Sequence, residues 1–329
     1  MKRRHLLAAG IGALAAPAVV PAIVHADARY PDRTIRLVVP FPAGGATDVV
    51  GRMFADKLTH QLGQTVIVDN KSGAAGAIGA VEVKNARPDG YTLLVATSST
   101  HAINPTAFVN PPYDPVKDFT PLSYVCETGL VVLVHPSVPA KNIAELVGLL
   151  KASPDKYNYA SSGVGSVHHL AGELFKSKAG VKATHVPYKG AGPALSDLVA
   201  GQLPIMFATI GPALPMIASG KARALGVTSA RRSSALPDVP TLAEQGLAGY
   251  DASLKFSLVA PAGLPAPIAA RLQSDLKKIV SDPELAKALQ KLGNDDVGPR
   301  TPDEVTQITG NDLKKWGSVI REAGITLDS

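Results

Sequence analysis

One stretch constrains the fold of this chain more than any other. Ile35-Arg36-Leu37-Val38-Val39 is a short, mostly apolar run, the pattern of a strand buried on both faces. Phe41-Pro42-Ala43-Gly44-Gly45-Ala46-Thr47-Asp48 follows, and then Val50, Phe54, Leu58 and Leu62 recur at helical spacing until Gly63 stops the run. The stretch therefore reads as strand, glycine turn, helix. Gly44 and Gly45 lack a Cβ, so a ligand can approach their backbone closely. The free N–H groups and the positive end of the helix then favour an anion such as a carboxylate. Asp48 or Thr47 can cap the first turn, and Asp48 could alternatively accept a ligand's ammonium group.

The same pattern continues. Thr65 to Asn70 reads as a second strand, Ala74 to Ala86 as a helix rich in small residues, and Tyr91 to Ala96 as a third strand after the turn Arg87-Pro88-Asp89-Gly90. β-α-β-α-β in this order predicts a parallel sheet with right-handed crossovers. Thr97-Ser98-Ser99-Thr100-His101 would then lie at the carboxyl end of the third strand, where open parallel sheets bind ligands. Phe119 to Val138 reads as strands crossing between domains. From Asn142 a second α/β series begins, with the turns Ser162-Gly163-Val164-Gly165 and Lys189-Gly190-Ala191-Gly192. Phe256 to Ala260 crosses back, and helices over Pro265–Ser281, Asp282–Leu292 and Pro302–Ala323 are expected to pack on the first domain.

At 329 residues, 46% of them hydrophobic, the chain can bury two cores. Lys2, Arg3 and Arg4, the apolar run Leu6 to Val24, and the small residues around Ala26 read as an export signal, through either the general or the twin-arginine route. Those three basic residues supply half of the formal charge of +6, so the remaining excess is too mild for nucleic-acid binding. With Cys126 as the single cysteine, an intrachain disulfide is excluded, and its apolar context reads as packing. No metal-ligand spacing, dinucleotide fingerprint or phosphate loop occurs in a suitable context, so neither metal nor cofactor is expected. No nucleophile elbow is present either. An exported hydrolase or isomerase built on Ser162, His168 or Lys189 stays open as the rival reading.

The motifs Tyr30-Pro31-Asp32-Arg33, Val39 to Asp48, Asn70 to Gly76, Pro88 to Leu93, Thr100 to Pro105, His168 to Glu173 and Val186 to Gly190 together resemble the Bug family. These are the solute receptors of tripartite tricarboxylate transporters, and the resemblance spans essentially the whole chain after the export segment. It implies a periplasmic-binding-protein type II-like fold, two α/β domains joined by crossing strands around a central cleft. The expected division is 1–26 for the signal, 27–126 with 250–329 for the first domain, and 127–249 for the second. It implies a periplasmic, monomeric receptor for a small carboxylate (a di- or tricarboxylate, an aromatic acid or an amino acid), partnered by a membrane permease or acting as a sensor. Carried over by position, Phe41, Ala43, Gly44, Gly45 and Asp48 would line one wall beside Ser98 and Ser99. Ser162, Gly163, His168 and Gly190 would face them.

Overall fold

The computed structural model describes residues 30–154 and 156–327. The export signal expected over residues 1–26 lies outside the described residues. The first α/β series is β1 (Ile35–Val39), α1 (Ala46–Leu62), β2 (Val66–Asn70), α2 (Ala77–Lys84) and β3 (Thr92–Thr97). β1 lies between β2 and β3 and runs parallel to both. A short helix α3 (Asn104–Ala107) leads to β4 (Phe119–Val134), and the second series follows: α4 (Ile143–Ala152), β5 (Asn158–Ser161), α5 (Val167–Ala179), β6 (Thr184–Pro187), α6 (Ala191–Val199), β7 (Ile205–Thr209), α7 (Ile210–Ala218) and β8 (Arg223–Val227). β9 (Ser253–Pro261) returns to the first lobe, and α8 (Ala266–Val280), α9 (Pro283–Gln290), β10 (Asn294–Asp295) and α10 (Pro302–Ala323) complete the chain.

The molecule is two α/β lobes sharing one long strand. β4 pairs antiparallel with β9 from Phe119 to Gly129, then changes partners and pairs with β7 from Leu130 to Val134. In the first lobe the strand order is β2-β1-β3-β9-β4; in the second it continues β4-β7-β5-β6, with β5 parallel to both β6 and β7. Where separate strands were expected between Phe119 and Val138, one 16-residue strand serves both sheets. Hydrophobic pattern marks each apolar run but not whether two runs join without a break.

Alternating side chains explain why the strands read as continuous apolar runs. Ile35, Leu37 and Val39 of β1 meet Val50, Phe54 and Leu58 of α1, whereas Val38 points to the other face with Ala77, Ala80 and Val83 of α2. Leu130, Val132 and Val134 of β4 likewise face one core, and Val131 and Leu133 the other. Both faces of each sheet are thus covered, as buried parallel sheets require. Cys126 is fully buried in this core, and burial pushes its thiol well up from the ordinary value, which fits a packing residue.

Two expectations are corrected. The helix expected from Ala74 starts at Ala77, because Gly73, Ala74, Ala75 and Gly76 all take positive φ (135°, 46°, 49° and 94°) and cannot continue a right-handed helix. The Asn104 amide holds this turn by donating to the Ala75 carbonyl at 3.1 Å, a tertiary contact that overrides alanine's helix propensity. The second correction concerns α10. It packs on α3 and the Ser99–Ile103 turn of the first lobe, but also on α5 of the second. Periodicity gave it a buried face without naming the partner.

Gly172 makes the packing testable. A Cβ there would meet the Tyr159 ring at 2.2 Å, and that ring is buried with its hydroxyl donating to Glu173 at 2.6 Å. Glycine to alanine inside a helix ordinarily stabilises by about 0.5–1 kcal/mol; here the clash should reverse the sign. Gly172→Ala is expected to lower unfolding stability by about 1–3 kcal/mol, read from the denaturation midpoint at unchanged m-value.

Candidate functional site

Helix α1 begins without a side-chain cap. Its N-cap is Gly45, so the N–H groups of the first turn find no acceptor within the helix or from the capping residue. Asp48 sits behind the turn instead. Its Oδ2 accepts from the Gly44 N–H and the Arg52 Nε–H, both at 2.9 Å, and its Oδ1 accepts from the Asn70 amide at 2.9 Å. Asn70 also donates to the Phe41 carbonyl at 3.0 Å. Burial opposes the charge on Asp48, but the hydrogen bonds from Arg52, Gly44 and Asn70 outweigh it, and the carboxyl titrates below its usual range. Asp48 is thus a lock on the glycine turn.

Two helices of the second lobe begin the same way. α6 starts after Gly190, with φ 119°, and α7 starts after Thr209; neither N-cap residue supplies a side-chain acceptor. All three uncapped ends meet at one cavity of about 330 Å³ between the lobes. The first lobe contributes Phe41 to Thr47 and Ser99; the second contributes Ser162, Val167, His168, the turn Lys189 to Pro193, Thr209 and Pro212; β9 contributes Leu254. A neighbouring cavity of about 670 Å³ shares Phe41, Pro42, Ser162, Lys189 and Gly190 and extends along Ser72 to Gly76.

The turn at Ser162 to Gly165 behaves differently from the other two glycine turns. Ser166 caps α5 by accepting from the His169 N–H at 3.2 Å, and Ser99 of the first lobe accepts from the Val167 N–H at 3.2 Å. Two N–H groups of this helix end are therefore met by hydroxyls, one of them across the cleft, and the end also offers side chains. His168 Nδ1 lies 2.7 Å from Ser162 Oγ, and its Nε2 is buried without a partner. Burial pushes the His168 imidazole down to about 4, so at neutral pH the ring is an uncharged donor or acceptor.

Of the residues expected at the site, Phe41, Ala43, Gly44, Gly45, Ser99, Ser162, His168 and Gly190 surround the inner cavity. Three lie elsewhere. Asp48 is turned behind the loop to hold Gly44. Ser98 accepts from the Lys255 N–H at 3.0 Å and reaches Asp312 at 3.4 Å, which turns it towards β9 and α10. Gly163 lines the outer cavity, its carbonyl accepting from Ser166 Oγ at 2.7 Å. Thr209 could have been found, since it ends a strand and precedes a helix. Leu254 could not, because a crossing strand carries no local mark of the cleft it passes.

The fold and this cavity define a two-lobed binding protein with an interlobe site built from helix ends. Residues 50–325 match the model of the tripartite tricarboxylate transporter family receptor. Protein BugT of Bordetella pertussis is 36% identical over 322 residues, covering 98% of both chains. Among solved structures, Rpa4515 of R. palustris with adipate superposes at a TM-score of 0.87 with 33% identity, covering 91% of this chain and 100% of the other. MatC of Rhodopseudomonas palustris with bound malate superposes at 0.82 with 34% identity, covering 88% of this chain and all of its own. The chain belongs to the tripartite tricarboxylate transporter receptor family, also called Bug.

The buried imidazoles make stability pH-dependent. Burial lowers His168 and His169 from 6.5 to about 4 each. The unfolded chain therefore binds protons that the folded chain refuses, and each group removes up to about 1.4 kcal/mol per pH unit as pH falls. Thermal midpoints should drop steadily between about pH 6.5 and pH 4, and His168→Gln should flatten that slope; an unchanged slope would show that His168 is not held neutral.

Proposed function

We propose that this chain is a periplasmic receptor that captures one small carboxylate in the interlobe cleft and presents it to a membrane permease. In this reading it acts as a monomer, without catalysis. One observation carries the proposal: the uncapped N-termini of α1, α6 and α7 converge on one cavity whose lining residues include Lys189 and neutral Ser, Thr and His side chains but no Asp or Glu. Helix ends favour negative charge through partial charges on N–H groups. Distributed partial charges can bind an anion while still allowing release. The cavity volume lies at the small end of ligand sites, which run about 300–1,000 Å³. Adipate and malate in the related receptors support an acid of this size.

We assign residues 27–126 and 250–329 to one lobe and 127–249 to the other, the switch lying near Gly129, where β4 changes partners. Phe41, Ala43, Gly44, Gly45, Ser99, Ser162, His168 and Gly190 are the proposed ligand contacts, joined by Thr209. Residues 1–26 would direct export.

The Ser162–His168 couple favours a second reading, an exported hydrolase. That chemistry needs a third group to orient the imidazole. His168 Nε2 has no such partner, so the receptor reading is preferred.

Protein refolded from denaturant, to strip co-purified acids, should gain stability with adipate, malate or a related acid. A ligand at 100 times its Kd contributes about 2.7 kcal/mol. Mass spectrometry after long incubation should recover the acid unchanged. No stabilisation by any acid sinks the receptor reading, and turnover lost in Ser162→Ala would establish the second.

A further inference from the structure

The segment after α10 reaches the cleft. Gly324 ends the helix in the left-handed conformation (φ 63°), its N–H donating to the Arg321 carbonyl at 3.3 Å and the Ile325 N–H to the Ile320 carbonyl at 3.0 Å. This paired closure sets the direction in which the chain leaves the helix. The Leu327 N–H then donates to the Ala107 carbonyl at 2.8 Å, and its carbonyl accepts from the Val109 N–H at 3.3 Å. A parallel bridge to Phe108 thus fastens Leu327 to the first lobe. Its side chain is half-buried, packs against the apolar cluster that contains Phe108, and lines the outer cavity.

The same side chain meets the second lobe. A Cβ at Gly165 would lie 2.6 Å from Leu327 Cδ1, so the leucine fills the space that any other residue there would need. Gly165 is held by its own lobe: it takes φ 74°, and its N–H donates to His169 Nδ1 at 3.3 Å. A second pair repeats the pattern, since a Cβ at Gly190 would lie 3.4 Å from Pro42 Cγ of the first lobe. In both pairs an apolar side chain of one lobe sits on a bare glycine of the other. Such contacts bury apolar surface without a directional bond, and separating them leaves no buried polar group unpaired. Resting on the receptor reading above, we infer that Leu327 is an interlobe latch, seated on Gly165 when the lobes are together and released when they part. It is a positioning residue for binding, because it sets the spacing of the two walls rather than touching the acid.

Double electron–electron resonance on the full-length protein, spin-labelled at Asp56→Cys of α1 and Lys151→Cys of α4, reads the spacing of the lobes; both positions are exposed and the native Cys126 is buried. In ligand-free protein, Leu327→Ala should lower the ratio of narrow to wide separations by about three- to tenfold, and Leu327→Met should keep it near the wild-type value. Stopped-flow measurements with malate and with adipate should show dissociation faster by about three- to tenfold for both acids, with association changed by less than about twofold. Gly165→Ala drives a Cβ into the contact and should widen the lobes. Its left-handed strain is the same in either background, so a smaller widening when Leu327→Ala is also present isolates the contact itself. An unmoved ratio overturns the inference, and a lowered thermal midpoint beside it assigns Leu327 to packing of the first lobe. A loss confined to one acid also overturns it, making Leu327 a ligand contact. If acids bind while the ratio is unmoved, the receptor reading stands and the latch falls; if no acid binds, the receptor reading falls and the ratio alone decides the latch.

Discussion

The structure depends on one constraint: the first N–H groups of a helix must find acceptors, and three helices here leave theirs unmatched at the same place. Several helices elsewhere meet that need with side chains. Asn142, Asp282 and Thr301 cap α4, α9 and α10, the last through a reciprocal capping box with Glu304. At the cleft the capping positions are Gly45, Gly190 and an unengaged Thr209. Glycine supplies no acceptor and keeps no bulk between backbone and ligand. The missing acceptor is left for something that enters from outside.

Such a site works only if its turns are rigid, and the surrounding residues provide this from behind. Asp48, Asn70 and Arg52 form a small network that fixes Gly44 and the Phe41 carbonyl without entering the cavity. Ser98, buried against β9 and α10, anchors the loop that presents Ser99. The two lobes are joined by continuous strands and tied by the Ser99–Val167 hydrogen bond. α10 touches both lobes, so the C-terminal helix is part of the joint between them.

How much of this was legible depended on the range of the interaction. β1, its glycine turn and α1 were readable because strand pattern, glycine and helical spacing are local, and Gly63 ends α1 in the left-handed conformation that its sequence suggested. Ala74 to Gly76 was misread as the start of a helix, because an amide 29 residues from Ala75 holds the turn open. The Ser162–Gly165 turn looked like its two counterparts in sequence. It differs because Ser166 and Ser99 accept from two N–H groups of its helix end, where the other turns supply no side-chain acceptor. Asp48 was legible as a polar residue in the first turn, but not the direction it faces.

The sequence by itself determined the two α/β series, their buried strands, the glycine turns and the family resemblance, since each rests on spacing within a few residues. Tertiary structure decided which helix ends share a cavity, which polar side chains face it and which stand behind it. Those outcomes follow from how β4 and β9 set one lobe against the other, a geometry fixed by contacts between residues far apart in the chain.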